Sequence, residues 1–406
     1  MSAIAEPPAA LIDDRLAKRN AVVLAVAQAL AGGNNTVIVA TAGIIGLVLA
    51  PDKSLATLPI SVMMFGLWFS TVPMGLMARS YGRRTALQIG AAVGAVSGLV
   101  CCVAVLQGSF ALLLLGTFGC GFYAAGHMSY RFASADTATD AYKPIAISYV
   151  LAGGVLAGVI GPSVVIFTKD LWPPYLFAAT FIAQAGLALL AGLALSKLKL
   201  PPPMSREEID RGRPLGEIVR SPKFIVAVFV GVSSYTLMNL VMTSAPLRHG
   251  RLRPLGHGGD VGHPMACARY VRAGFITGSL IARYGVNRIV ALGLAMLLVS
   301  ALVGIAGLTV AHFWISLTLL GVGWNFAFIG ATTIVARSHR PEERTKVQSF
   351  NDFLIFGSMA LGSLASGMIL ATYGWIAVNG VMFPPIVAAG ALLLWLMIRE
   401  RRQVAG

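Results

Sequence analysis

The chain has 406 residues, 57% of them hydrophobic and 12% charged, with a mean hydropathy of +0.78. A soluble domain carries about 25% charged residues, so a soluble globular class is excluded. The net charge of +15 invites a nucleic-acid reading, but its distribution along the chain argues against one.

Apolar residues fall in runs of about 20, the helical length that crosses ~30 Å of hydrocarbon. Barrel strands would alternate apolar and polar at period two, and these runs do not. Twelve spans are predicted, at roughly 20–50, 55–77, 86–106, 109–130, 145–168 and 174–195, then 224–247, 266–282, 288–309, 312–335, 348–372 and 375–397. Placing the joints alternately on two sides puts 24 of the 31 Lys and Arg on the side of the N-terminus. This positive-inside bias predicts that both termini are cytoplasmic. No cleavable signal peptide is read, because residues 1–19 are polar and the first apolar run is too long for one.

Span one, at about 30 residues, is long enough to tilt or break, and Gly32-Gly33-Asn34-Asn35 is the expected place for a break. Polar side chains inside spans are costly, so each marks a pathway or a packing site. Here they are Gln28, Asn34, Asn35 and Thr36. Span two closes on Gly75, Arg79, Gly82, Arg83 and Arg84. Span four ends with Tyr123, His127 and Tyr130, spaced four and three apart on one helical face before Arg131. An aromatic face with an imidazole can stack a planar ring, and the same face reads equally as an interfacial belt, with Arg131 at the membrane edge. Span five carries Gly153, Gly154, Gly158, Gly161 and Pro162, small residues at spacings that let helices approach closely.

Residues 196–223 contain Pro201-Pro202-Pro203 and a mixed-charge run from Arg206 to Arg211, and read as a solvated cytoplasmic linker. They divide the chain into bundles of six spans, 1–195 and 224–406. Span seven offers Tyr235 and Asn239, one turn apart, and span ten offers Trp324 and Asn325. Span eleven opens with Gln348, Asn351 and Asp352, the one carboxylate placed within a span. A proton-coupled carrier needs a group that alternates between charged and neutral, and Asp352 and His127 are the candidates; a cap or loop anchor is the plainer role for Asp352.

One stretch breaks the pattern. Arg248 to Ala273 holds Arg248, Arg251, Arg253, Arg269 and Arg272, with His249, His257, His263, Pro254 and Pro264, where the joint after span seven and most of span eight belong. Central arginines cost roughly 2.5–3.5 kcal/mol each. The stretch is read as a local frameshift, restored before Gly274, against the alternative of a genuine basic outside loop.

The halves echo each other at nearly one offset, 203 to 205 residues. Gly75 and Gly82 recur as Gly278 and Gly285, the latter followed by Arg288 and preceded by Arg283; Gly116 to Gly126 resembles Gly321 to Gly330; Lys143 and Asp140 match Lys346 and Glu343. Corresponding segments in two halves are the sign of a transporter built from related bundles. With twelve spans and a basic central loop, the chain resembles the major facilitator superfamily over its whole length. Gly75, Gly82, Arg83 and Arg84 match that family's loop after span two, and Gly278, Arg283, Gly285 and Arg288 its second copy. The family's acidic position is Arg79 in one copy and Ala282 in the other, so the cytoplasmic latch which that acid supports is expected to differ here. Gly154, Gly158, Gly161 and Pro162 resemble the fifth-span motif of the family's exporters.

The resemblance implies an all-α fold of two six-helix bundles in a bacterial inner membrane. It implies a secondary transporter moving a small solute by alternating access as a monomer, with the lipid bilayer as partner and protons as coupling ion. No cofactor is expected, and no nucleic acid. Drug or metabolite export stands beside uptake of riboflavin type, to which Arg19-Asn20, Gln28, Leu55 to Pro59 and Gly82 to Arg84 bear a likeness. A membrane enzyme would need a His, Asp or Glu cluster on the spans, and a channel would not need matched halves. Cys101, Cys102, Cys120 and Cys267 have no metal-ligand or disulfide spacing.

Overall fold

The computed structural model describes residues 13–202, 212–252, 276–307 and 309–405. The fold is all-α, with no strand among the described residues, and eleven helical segments there are long and apolar enough to cross a membrane. The chain divides into two compact units, Met1–Arg211 and Gly212–Gly406.

The first unit contains α1 (Asp14–Leu49), α2 (Leu58–Tyr81), α3 (Arg83–Gln107), α4 (Phe110–Met128), α5 (Tyr130–Ala135), α6 (Lys143–Thr168) and α7 (Ala178–Leu195). The second contains α8 (Leu215–Val219), α9 (Pro222–Leu252), α10 (276–284), α11 (Val286–Ala306), α12 (Val310–Arg337), α13 (Arg344–Gly380) and α14 (Phe383–Ala405). Each unit pairs its helices in the same way. In the first, α1 packs on α4, α6 and α7, and α3 on α4 and α7; in the second, α9 packs on α12, α13 and α14, and α11 on α12 and α14.

Gly82 joins α2 to α3 at φ 84°, ψ 151°, and Gly285 joins α10 to α11 at φ 88°, ψ 148°. That region of backbone space is open in practice only to glycine. It lets each chain leave one helix and start the next within a single residue, so the repeated motif has one backbone solution in both units.

Several expectations are corrected. Span one does not break at Gly32 to Asn35; α1 is continuous for 36 residues, starting at Asp14 behind an Asp13 cap that accepts from Arg15 N at 2.8 Å. The two glycines serve approach instead: a Cβ on Gly32 would lie 2.6 Å from Ala157 Cβ, and one on Gly33 2.8 Å from Ile160 Cγ2, both on α6. On α6 the packing stripe is Gly153, Ala157 and Gly161. A Cβ at Gly153 would lie 2.2 Å from Ala25 O and one at Gly161 2.5 Å from Thr36 Cβ. Gly154 has ordinary room beside Gln28, and Gly158 is exposed with nothing within 4 Å, so neither closes the contact. Neighbouring positions on a helix are ~100° apart, so Gly153 and Ala157 stand in place of Gly154 and Gly158 on the close face, while Gly161 belongs to both sets. Pro162 sits inside α6, which continues to Thr168.

The end of the linker is not simply solvated. Ile218 on α8 is fully buried and Arg213 is ion-paired to Glu343. Residues 203–211 lie outside the described residues, as do 253–275, which hold most of the anomalous stretch and the start of expected span eight. Spans eleven and twelve are joined at Gly374, where φ is 77° and ψ −175° inside α13.

Candidate functional site

The polar and aromatic residues form a separate group in each unit. In the first, Gln28 on α1 faces His127 on α4, with Nε2 3.4 Å from the imidazole Nδ1. Tyr123 and Tyr130 flank that imidazole edge-on, at centroid separations of 6.0 and 6.3 Å. Tyr123, His127 and Tyr130 are buried, at 1%, 1% and 0% exposure. The interfacial-belt alternative is therefore overturned. Arg131 is equally buried, with Nη1 donating to Met128 O at 2.6 Å and its guanidinium over the Phe132 ring, so it does not mark a membrane edge. Gln28 Oε1 and His127 Nε2 are buried without a hydrogen-bond partner among the described residues. A buried polar atom left in that state costs about 1–3 kcal/mol unless something fills its valence, which marks this pair as able to receive a polar group or a water.

Asn34 belongs to a different contact. Its Nδ2 donates to Gln184 O at 2.8 Å, and Gln184 Nε2 returns a bond to Asn34 Oδ1 at 3.2 Å and another to Cys120 Sγ at 3.2 Å. This exchange clamps α1, α4 and α7 together. Asn35, one residue on, is half-buried and is not part of it.

The second unit presents rings. Tyr235 on α9 meets Trp324 at 5.6 Å and 71°, Phe328 at 4.9 Å and 55°, and Phe356 at 5.8 Å and 87°. Trp324 and Phe328 stack at 5.6 Å and 16°. Tyr235 and Trp324 are half-buried, and Trp324 Nε1 and Thr236 Oγ1 have no hydrogen-bond partner among the described residues. Asn325 is turned away into a bond from Thr277 Oγ1 at 2.6 Å, and Asn239 Nδ2 reaches Met359 O at 3.5 Å. Such a group offers stacking faces and one indole donor to a planar ring. Sequence reasoning named Tyr235 and Trp324. It missed Phe328, although that residue lies one turn beyond Trp324 on the same face, and Phe356, which carries no signal in a hydrophobic span.

Asp352 is 3% exposed, nine residues into α13, and accepts from Asn351 Nδ2 at 3.0 Å. It is not a cap: Glu343 occupies that position. Gln348 Nε2 lies 3.1 Å from His339 Nε2.

Charged side chains near the ends of the helices are paired within each unit. Arg83, the first residue of α3, pairs with Asp136 at 3.0 Å, and both side chains are almost fully buried. Asp14 accepts from Thr139 N and Oγ1, each at 3.0 Å. In the second unit Arg213 grips Glu343 through Nε at 2.8 Å and Nη2 at 2.9 Å, while Arg213 N and Arg340 N also donate to it. Glu343 lies on the turn Pro341–Glu343, where these four donors satisfy its carboxylate. Arg84, Arg283 and Arg288 are exposed, with Arg283 over the Tyr284 ring. No group of three or more His, Cys, Asp or Glu able to hold a metal occurs among the described residues.

The family model of the Major Facilitator Superfamily matches residues 24–258 and 269–406. The riboflavin transporter RfnT of Brucella anthropi is 42% identical over 402 residues, covering 97% of this chain and 100% of that protein. An uncharacterized MFS-type transporter of Bacillus subtilis, YddS, is 26% identical over 88% of this chain and 87% of its own length. Among solved structures, the E. coli fucose:proton symporter aligns with a TM-score of 0.69 at 14% identity, over 94% of this chain and 98% of that one. A bacterial homologue of the iron transporter ferroportin, outward-facing, gives 0.69 at 14% identity over 93% and 98%. At those identities the structural likeness speaks to fold alone.

Proposed function

The chain belongs to the Major Facilitator Superfamily, and from that premise we propose that it carries riboflavin, or a flavin of the same planar chemistry, into the cell by alternating access. It is a multi-pass membrane transporter, and its family and relatives are transporters rather than enzymes. The observation that carries the substrate reading is the 42% identity to a riboflavin transporter along that protein's whole length. The rings of Tyr235, Trp324 and Phe328 support it, since a flavin is a flat π-system that stacks on such faces. Gln28 and His127 offer hydrogen-bonding atoms of the kind an imide or a ribityl hydroxyl uses.

In this reading, residues 1–195 and 224–406 are the two moving bundles, 196–223 is the cytoplasmic connection, and both termini lie in the cytoplasm of a bacterial inner membrane. The working unit is a monomer. Asp352 and His127 are the groups assigned to proton coupling. Drug or metabolite export is the alternative direction; the glycines of α6 pack against α1 at Gly153 and Gly161, a use that either direction allows.

The test is counterflow of labelled riboflavin into liposomes holding the purified protein. Saturable uptake that is absent from empty vesicles supports the proposal. No riboflavin binding, with extrusion of amphiphilic cations instead, contradicts it. A second reading, that the chain is a transport-impaired product of a frameshifted gene, is favoured by the five arginines within 248–273 and by the interruption of the family match at 259–268. It predicts that riboflavin still shifts the melting temperature while counterflow needs the repaired frame. A single clean frame through codons 248–273, conserved in an independent isolate, would remove it.

A further inference from the structure

The second unit has a groove of about 260 Å³ between α11 and α14 that no transport role uses. It is lined by apolar side chains and one glycine: Leu294, Ile386 and Leu393 are buried in its floor, and Val387 and Leu394 are exposed at its rim. Most of a membrane protein's surface simply touches lipid. This groove differs in having a buried floor and a charged end.

On α11 the lining residues Ala291, Ala295 and Leu298 share a face with Arg288, one turn toward the helix start. On α14 the stripe through Gly390, Leu394 and Met397 continues to Arg401. The two helix ends meet there: Glu400 accepts from Asn287 Nδ2 at 3.1 Å and pairs with Lys223 at 3.0 Å, so its own charge is already compensated. Arg288, Arg399, Arg401 and Arg402 are exposed at the same end. Arg399 lies over the half-exposed ring of Trp395 at 5.5 Å, the arrangement of an aromatic anchor at headgroup depth.

Length agrees with charge. From Ile386 to Met397 the α14 stripe runs for about 16 Å at 1.5 Å per residue, and one leaflet of hydrocarbon is about 15 Å deep. We propose that this groove is a binding site for an anionic phospholipid, with one acyl chain along α11 and α14 and its phosphate received by Arg288 and Arg401. Juxtamembrane arginines attract anionic headgroups at about fivefold in affinity each, so selectivity comes from the charged end and retention from the groove.

The experiment is native mass spectrometry of the full-length protein titrated with phosphatidylglycerol or with phosphatidylcholine of identical chains. Phosphatidylglycerol is expected to be retained at least tenfold better. Arg288→Gln and Arg401→Gln should each reduce that preference about fivefold. A Cβ at Gly390 meets nothing within 4 Å, so Gly390→Leu fills the groove without a backbone clash and should cut retention of both lipids. Glycerol phosphate alone should neither bind nor compete. Equal retention of the two lipids, an unchanged preference in the arginine variants, or unchanged retention in Gly390→Leu would each overturn the site. Binding of glycerol phosphate would reassign it to a soluble anion. Should Gly390→Leu fail to fold, the exposed arginine variants decide the outcome by themselves.

Discussion

Gly82 and Gly285 hold nearly the same backbone 203 residues apart, yet the charges around them differ. After Gly82 comes Arg83, buried against Asp136; after Gly285 comes Val286, and the second unit instead pairs the buried Glu343 with a half-exposed Arg213. The interiors have diverged further, toward a polar group around Gln28 and His127 in one unit and an aromatic group around Tyr235 in the other. What persists between the halves is what the backbone requires, namely helix pairing and the glycine turn. Side-chain chemistry has been free to specialise.

This contrast predicts unequal effects from superficially equal substitutions. Arg83→Ala takes a buried guanidinium away from Asp136, and breaking a buried pair costs about 3–5 kcal/mol, while Arg288→Ala in the second copy should leave stability almost unchanged because Arg288 is exposed. Thermal unfolding of both variants in detergent checks this; equal losses would break the asymmetry. Gly82→Ala and Gly285→Ala should each cost about 1–3 kcal/mol, and by similar amounts, because both force a side chain into the same forbidden region. A loss at one site alone would show that the two turns are not equivalent.

Much of the fold was legible from composition, because a run of twenty apolar residues has few alternatives to a membrane helix. The glycine turns follow from a constraint of the same kind, since φ near 85° with ψ near 150° is open in practice only to glycine. Rotation about a helix axis was not legible. Gly153 rather than Gly154 closes the contact with α1, and a run rich in glycine does not say which member faces inward. Partners far apart in sequence were equally hidden: Gln28 finds His127 99 residues on, and Asn34 finds Gln184 150 residues on. Arg131 near a helix end reads alike whether it meets headgroups or, as here, is buried beside Met128.

The two interiors should also separate by substrate effect. Trp324→Ala removes a stacking face worth about 1–3 kcal/mol, so riboflavin affinity should fall by roughly five- to 150-fold in an equilibrium binding titration. Asn34→Ala should lower thermal stability with little change in affinity, because Asn34 is consumed by Gln184.

The central claim is that this transporter of the major facilitator type moves a flavin. Riboflavin counterflow by the purified protein, frame-repaired through 248–273 if the gene requires it, tests that most directly. Saturable exchange is expected, shifted to higher riboflavin concentration by Trp324→Ala. Folded, lipid-reconstituted protein that neither binds nor exchanges riboflavin would contradict it.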